Sequence, residues 1–171
     1  MMKCTPGMPR NLQAAGLAVL GVLLGATMAY PSHSTPPPPL PDGHAGVIVR
    51  LVWLPGPGEP VLDGQVGVET IELHRKGAAS GESWVTLPLL RLEFSSKELI
   101  GGQVWVANAP VAAGEFDQIR LGSGARSQVS IPMRLVPGQW TIVTLYTAFQ
   151  KGRARGPLRL ELKRALTQLS D

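Results

Sequence analysis

The histidines and the cysteine of this chain are the residues whose types could support metal chemistry, and they are far apart in sequence. His33 and His44 lie in a proline-rich stretch, His74 lies near the end of a predicted strand, and Cys4 precedes an apolar run. Zinc sites bring several Cys, His or carboxylate ligands together at short spacings, and neither His-x-His nor His-x-x-x-His occurs here. The sequence therefore predicts no metal and no other cofactor.

A hydrolytic mechanism would need a nucleophile oriented by a base, or two carboxylates flanking the scissile bond. His74 is the only candidate base in the predicted domain, and no Gly-x-Ser-x-Gly elbow is present. Glu69 and Glu72 fall on opposite faces of one predicted strand, while Glu93 and Glu115 fall on different strands. We interpret all four carboxylates as ordinary solvated groups, and the sequence predicts a protein that is not an enzyme.

A cluster of positive charge late in the chain is a candidate contact surface. Lys151, Arg153 and Arg155 lie close together in the segment KGRARG, between two predicted strands. Such a cluster can contact anionic lipid headgroups or an acidic envelope polymer, and it is also typical of a solvated turn. The formal charge of +4 includes Lys3 and Arg10 near the N terminus. The charge that remains is too small to indicate nucleic-acid binding.

Tryptophans are the other residues that suggest binding. Trp53, Trp84, Trp105 and Trp140 lie in or beside predicted strands. An exposed indole ring can stack on a sugar, whereas a ring on the inner side of a sheet packs in the core. The sequence favours packing for most of the four and leaves a sugar-binding platform open.

The first thirty residues have the composition of an export segment. Lys3 and Arg10 precede an uncharged run over residues 12–30 that ends in small residues. Cleavage after Ala29 would release the mature chain, whereas a retained helix of about 19 residues would span roughly 28 Å and attach the protein to a membrane. No cysteine follows the run, so lipoprotein processing is not predicted. Residues 1–29 are therefore a predicted signal peptide or membrane anchor, and the protein is predicted to be periplasmic, secreted or anchored facing outward.

Residues 30–45 form a predicted linker, because the prolines at 36–39 lack backbone donors and favour an extended polyproline II spacer. Beyond the linker, short runs with apolar residues at every second position alternate with turns that contain Gly or Pro. This pattern predicts that residues 46–168 form an all-β domain, an antiparallel β-sandwich of about 7–9 strands.

Three local expectations concern strand ends and faces. Residues 66–75 are predicted to form one strand, and the last strand is predicted to run over residues 158–163, with a short helix as the alternative for the second half of the segment that ends at residue 169. In EFDQIRL, regular alternation places Phe116 and Ile119 on opposite faces. Arg120 can reach a carboxylate there, and we interpret it as a structural brace.

The segment VAAGEFDQIRL, residues 111–121, resembles a signature of the family catalogued as domain of unknown function 4382. Residues 46–51 are similar to the opening strand of that family, and the resemblance extends over most of residues 46–166. It implies an exported, transthyretin-like β-sandwich in a family without an established activity. The chain departs from the family at residues 53–56, where a Thr-Asp-Ala-Pro-like turn is usual, and at residues 146–150, where an acidic, aromatic run is usual.

These observations predict a non-catalytic β-sandwich module, exported or tethered to the cell envelope, that binds or scaffolds. A carbohydrate-binding module and an accessory subunit of an envelope complex are the alternatives. The expected partner is a protein or glycan of the envelope.

Overall fold

The computed structural model describes residues 39–59, 61–78, 83–122, 127–150 and 156–170. The elements are, in chain order, β1 (His44–Trp53), β2 (Gln65–Gly67), β3 (Thr70–Arg75), β4 (Trp84–Leu87), β5 (Glu93–Ser95), α1 (Ser96–Ile100), β6 (Gln103–Ala112), β7 (Gly114–Gly122), β8 (Ser127–Leu135), β9 (Trp140–Phe149) and β10 (Leu160–Leu169). The all-β prediction is confirmed, and the described residues contain ten strands where about seven to nine were expected. The predicted signal or anchor and most of the linker lie outside the described residues.

Two four-stranded sheets form the domain. The first sheet has the strand order β10-β9-β1-β6 and the second has the order β4-β3-β7-β8, while β2 and β5 form a small separate ladder. Neighbouring strands are antiparallel except β1 and β9, which run parallel from the pair Gly46–Trp140 to the pair Trp53–Thr147. The expectation of a wholly antiparallel sandwich is therefore wrong for this pair. The two strands are far apart in the chain, so no hairpin turn sets their relative direction.

A single hydrophobic core contains residues from both sheets. Val47, Val49 and Leu51 occupy alternate positions of β1 and have no exposed surface, and they cluster with Leu73 and Ile119 of the second sheet. Full burial of one such side chain contributes about 1.5–3 kcal/mol. A core of this kind stabilises the domain without disulfides, and the chain has one cysteine, so none can form within it.

A β-bulge in β7 changes which side chains reach the core. The pairing of β7 with β3 shifts between His74 and Arg75, which are opposite Gln118 and Phe116, so that Asp117 is the extra residue. The insertion reverses the alternation, and Phe116 and Ile119 are both buried in the core. The prediction that these two side chains lie on opposite faces is wrong because it assumed an unbroken period of two.

The strand predicted over residues 66–75 is interrupted in its middle. Val68 donates its backbone N–H to the carbonyl of Leu92 at 2.8 Å, and Glu69 donates to the carbonyl of Gly122 at 2.6 Å. The chain therefore leaves the β2–β5 ladder and joins the second sheet between β2 and β3. Apolar alternation continues through the transition, so the sequence pattern does not show it.

The last strand is longer than predicted. β10 continues to Leu169 as a strand, beyond the expected end at Lys163 and with no helix. Its pairing with β9 shifts between Leu162 and Arg164. This bulge leaves Arg164 opposite Tyr146, on the outward side of the first sheet.

Helix α1 was not predicted, although its cap is visible in the sequence as Ser-x-x-Glu. The Ser95 side chain accepts a hydrogen bond from the backbone of Lys97, and the Glu98 carboxylate accepts one from the backbone of Ser95 at 3.1 Å. A hydrogen bond from Arg91 at 2.8 Å, together with the Ser95 bond, holds the pKa of Glu98 below its usual range.

Within the described ranges, no helix has the length and apolar character needed to cross a membrane.

Candidate functional site

His74, the only candidate base expected in the domain, lies on the outward side of the second sheet beside an acid. Its Nδ1 lies 2.6 Å from Oδ1 of Asp117, and its ring centroid is 5.0 Å from that of Trp84. His74, Gln118 and Ser130 form one cross-strand row, and Ser130 supplies the hydroxyl of that row. Two strand spacings, about 10 Å in all, separate His74 from Ser130, which is beyond hydrogen-bond reach. The row supplies a histidine–carboxylate pair without an adjacent nucleophile.

Arg120 connects three strands of the second sheet. Its Nη2 donates to Oε1 of Glu72 at 2.9 Å, its Nε donates a second, short bond to Oε2, and its guanidinium lies 3.9 Å from the ring centroid of Trp84. Thr86 donates to the same carboxylate at 3.4 Å. The hydrogen bond to Glu72 raises the pKa of Arg120. Arg120 therefore reaches a carboxylate as a brace would, and its guanidinium covers one face of the Trp84 ring.

Two other tryptophans, Trp53 and Trp140, also pack against neighbouring parts of the protein. Trp53 contacts Phe149, with ring centroids 6.2 Å apart. Trp140 is 8% exposed, and its ring lies over Gly46 of the parallel neighbour β1, where a Cβ atom would overlap the ring. Packing was the interpretation that the sequence favoured for most of the tryptophans, and the structure bears this out for Trp53, Trp84 and Trp140.

Trp105 differs from the other three because its side chain is 39% exposed on the outward side of the first sheet. We call this surface the Trp105 face. Two of its cross-strand rows, read from β10 to β6, are Leu166–Thr144–Arg50–Trp105 and Arg164–Tyr146–Val52–Gln103. A bulge in β6 opposite Val49 and Arg50 keeps Trp105 and Arg50 in register as direct neighbours.

Arg50 is held in one orientation on this face. Its Nε donates to Oγ1 of Thr144 at 2.8 Å, and its Nη1 donates to Oε1 of Gln103 at 2.8 Å. Its guanidinium lies 5.6 Å from the ring centroid of Trp105, within the range of a cation–π contact. Both hydrogen-bond acceptors are neutral, so the charge of Arg50 is not compensated by them.

Arg164 gives the face a second positive charge. Its guanidinium lies 4.2 Å from the ring centroid of Tyr146. Within the described part of the chain, neither Arg164 nor Arg50 forms an ion pair. Glu161, at the margin of the face, pairs instead with Lys163 at 3.0 Å. The two rows thus contain two guanidinium groups and no carboxylate.

The rest of the face combines apolar and amide side chains. Leu166 is 51% exposed, and the next row places half-buried Ile142 and Ile48 between the amides of Gln168 and Asn108. Apolar surface flanked by hydrogen-bonding groups is typical of interaction sites.

Sequence reasoning missed the arrangement of the Trp105 face, although it singled out Trp105. The rows depend on the pairing of β1 with both β6 and β9 and on two bulges, which are tertiary features. The only signal in the sequence was alternation, which places Arg50 opposite to the apolar positions of its own strand.

Two carboxylates that the sequence placed on separate strands line the same cleft. Glu69 and Glu93 line a cleft of about 470 Å³ together with Arg159, and all three side chains are exposed. Glu115 lies elsewhere and pairs with Lys76 at 3.4 Å. Exposure and a neighbouring cation match the interpretation of Glu69 and Glu93 as solvated groups. That interpretation is wrong for Glu72, which is 8% exposed and is paired with Arg120.

The predicted contact cluster of Lys151, Arg153 and Arg155 lies outside the described residues. Among the residues that the structure does describe, no group of three or more His, Cys, Asp or Glu side chains could hold a metal ion.

Comparison with known proteins found no matching family model, no matching curated protein and no matching solved structure. The resemblance to domain of unknown function 4382 therefore stays a prediction. The case for function rests on the geometry of the chain itself.

Proposed function

We propose that this chain is a non-catalytic β-sandwich module, exported or tethered to the cell envelope, that binds its partner on the Trp105 face. The observation that supports the proposal is an exposed indole beside a fixed cation: Trp105 is 39% exposed, and Arg50 lies 5.6 Å from its ring centroid. Trp, Tyr and Arg are the residue types most enriched where binding energy is concentrated.

Carbohydrate is the ligand class that this surface favours. The face of an indole packs against the apolar C–H side of a sugar ring, and the amides of Gln103 and Asn108 can donate to and accept from sugar hydroxyls. An accessory subunit of an envelope complex would instead bury the apolar side chains, Leu166 and Ile142 above all. The exposed ring between hydrogen-bonding side chains is the reason to prefer the sugar.

Trp105→Ala is the variant that tests this proposal. We expect the purified protein to bind a subset of glycans on an array, and Trp105→Ala to weaken that binding by about fivefold or more, since loss of a stacked aromatic ring costs about 1–3 kcal/mol. Leu92→Ala is the matched control, because Leu92 is an exposed hydrophobic residue outside the Trp105 face.

The outcomes of the array separate the hypotheses. Binding that survives in Trp105→Ala would place the ligand elsewhere. Failure to bind any glycan, together with recovery of one stoichiometric envelope protein by cross-linking, would favour the accessory subunit. Hydrolysis of a glycan, abolished by a single substitution, would overturn the non-catalytic assignment.

Export is tested by sequencing the N terminus of the protein isolated from cells. We propose cleavage after Ala29, so the mature chain is expected to begin at Tyr30. An intact N terminus in the membrane fraction would instead support an anchor over residues 12–30. An intact chain in the cytoplasm would contradict export. The resemblance to domain of unknown function 4382 supports both export and a transthyretin-like form of the sandwich.

A further inference from the structure

We infer that the Trp105 face binds a linear polysaccharide whose sugar rings bear carboxylates, an inference that rests on the binding function proposed above. The juxtaposition that leads to it is a repeated unit, an arginine lying against an aromatic ring. Arg50 lies 5.6 Å from the Trp105 ring centroid, and Arg164 lies 4.2 Å from the Tyr146 ring centroid. In each unit the guanidinium lies over the aromatic ring, and Trp105 is still 39% exposed.

The two units are arranged for a ligand longer than one sugar. Arg50 on β1 and Arg164 on β10 are separated by two strand spacings. They lie in neighbouring rows of the same face, which are two residues apart along β9. Strand spacings of about 4.8 Å and a rise of about 3.4 Å per residue place their Cα atoms about 12 Å apart. A chain with repeated charges can place one carboxylate beside each guanidinium group at that separation.

The hydrogen bonds of Arg50 prepare it for a carboxylate. Thr144 and Gln103 hold Nε and Nη1, which fixes the plane of the guanidinium before any ligand arrives. Its Nη2 makes no hydrogen bond in the described part of the chain. A preorganised arginine loses little side-chain entropy when it binds a carboxylate, and the resulting charge-assisted bond is among the stronger ones.

A carboxylated sugar fits this face better than other anions. Its ring has an apolar C–H side for the aromatic residue and a carboxylate at its edge for the arginine. An acidic peptide lacks the flat apolar surface. An anionic membrane is a poor match because Trp105 and Tyr146 lie within strands β6 and β9 rather than on a protruding tip that could enter the lipid.

Polygalacturonate and its fully methyl-esterified form are matched probes, because esterification removes the charge and keeps the sugar backbone. We expect the purified protein to bind polygalacturonate at least tenfold more tightly than the ester in calorimetric titrations at low salt. We expect Arg50→Gln and Arg164→Gln each to weaken polygalacturonate binding about threefold to fivefold, the range of an exposed charge pair. About 1 M salt should remove most of the preference.

Arg91→Gln is the control, since Arg91 is an exposed arginine that pairs with Glu98 away from this face. It should bind polygalacturonate as the unsubstituted protein does, and circular dichroism should show all variants folded. If both polymers bind equally well, and if Trp105→Ala loses binding while the arginine variants do not, the inference of an acidic ligand is wrong. The proposal that a glycan binds on the Trp105 face would still stand. Binding only to phosphatidylglycerol vesicles, or to neither probe, would also overturn this inference, while the glycan array tests the proposed function separately.

Discussion

Gly46→Val is expected to lower the free energy of unfolding by about 3 kcal/mol, although valine is normally the better strand residue. Gly46 lies inside β1 and pairs with Trp140 of β9. A Cβ atom at Gly46 would overlap the six-membered ring of Trp140, which is 8% exposed and has no open space to enter. The substitution therefore forces the ring out or the two parallel strands apart. Equilibrium unfolding in urea measures the change.

Gly102→Val is the matched control, because nothing lies within 4 Å of the Cβ position there. It should change stability by no more than about 0.5 kcal/mol. Trp140→Leu should relieve part of the clash, so that its combination with Gly46→Val costs less than the two single changes together. Equal stabilities of Gly46→Val and Gly102→Val would contradict the packing of Trp140 over β1.

Arg120→Met is expected to cost about 3 kcal/mol, because it leaves the carboxylate of Glu72 without the guanidinium that accompanies it inside the second sheet. The Glu72 and Arg120 side chains are only 10% and 19% exposed. Arg134→Met is the matched control, since Arg134 is exposed on β8 and forms no ion pair among the described residues. It should stay within about 0.5 kcal/mol of the unsubstituted protein in urea unfolding.

Replacing both partners provides a second readout. Glu72→Leu combined with Arg120→Met should recover most of the loss, because neither charge is then left without its partner inside the sheet. A double variant as unstable as Arg120→Met would contradict the brace.

Much of the fold could be predicted from alternation and turn composition, because these are local properties of the sequence. β1 is an example, with an apolar residue at every second position from Ala45 to Trp53. The parallel pairing of β1 with β9 could not be predicted, since it depends on where distant strands pack. The bulge at Asp117 was also missed, because one inserted residue reverses every later side chain and leaves no mark in the composition.

The same limits apply to the candidate site. Trp105 could be identified as a possible sugar-stacking residue from its type, but so could Trp84, whose ring is covered on one face by Arg120. Which of them is exposed depends on cross-strand neighbours. The proximity of Arg50 to Trp105 depends on the bulge in β6. Residue types therefore suggested the chemistry, and register decided which residues are placed to perform it.

The most direct test of the binding face uses the four tryptophans as internal reporters. Their indole N–H signals can be assigned in nitrogen-15 NMR spectra from single Trp→Phe variants and followed during a titration with polygalacturonate oligomers. Binding on the Trp105 face predicts that the Trp105 signal shifts progressively while those of Trp53, Trp84 and Trp140 stay in place. A shift of Trp84 with Trp105 unchanged would move the site to the second sheet and contradict binding on the Trp105 face.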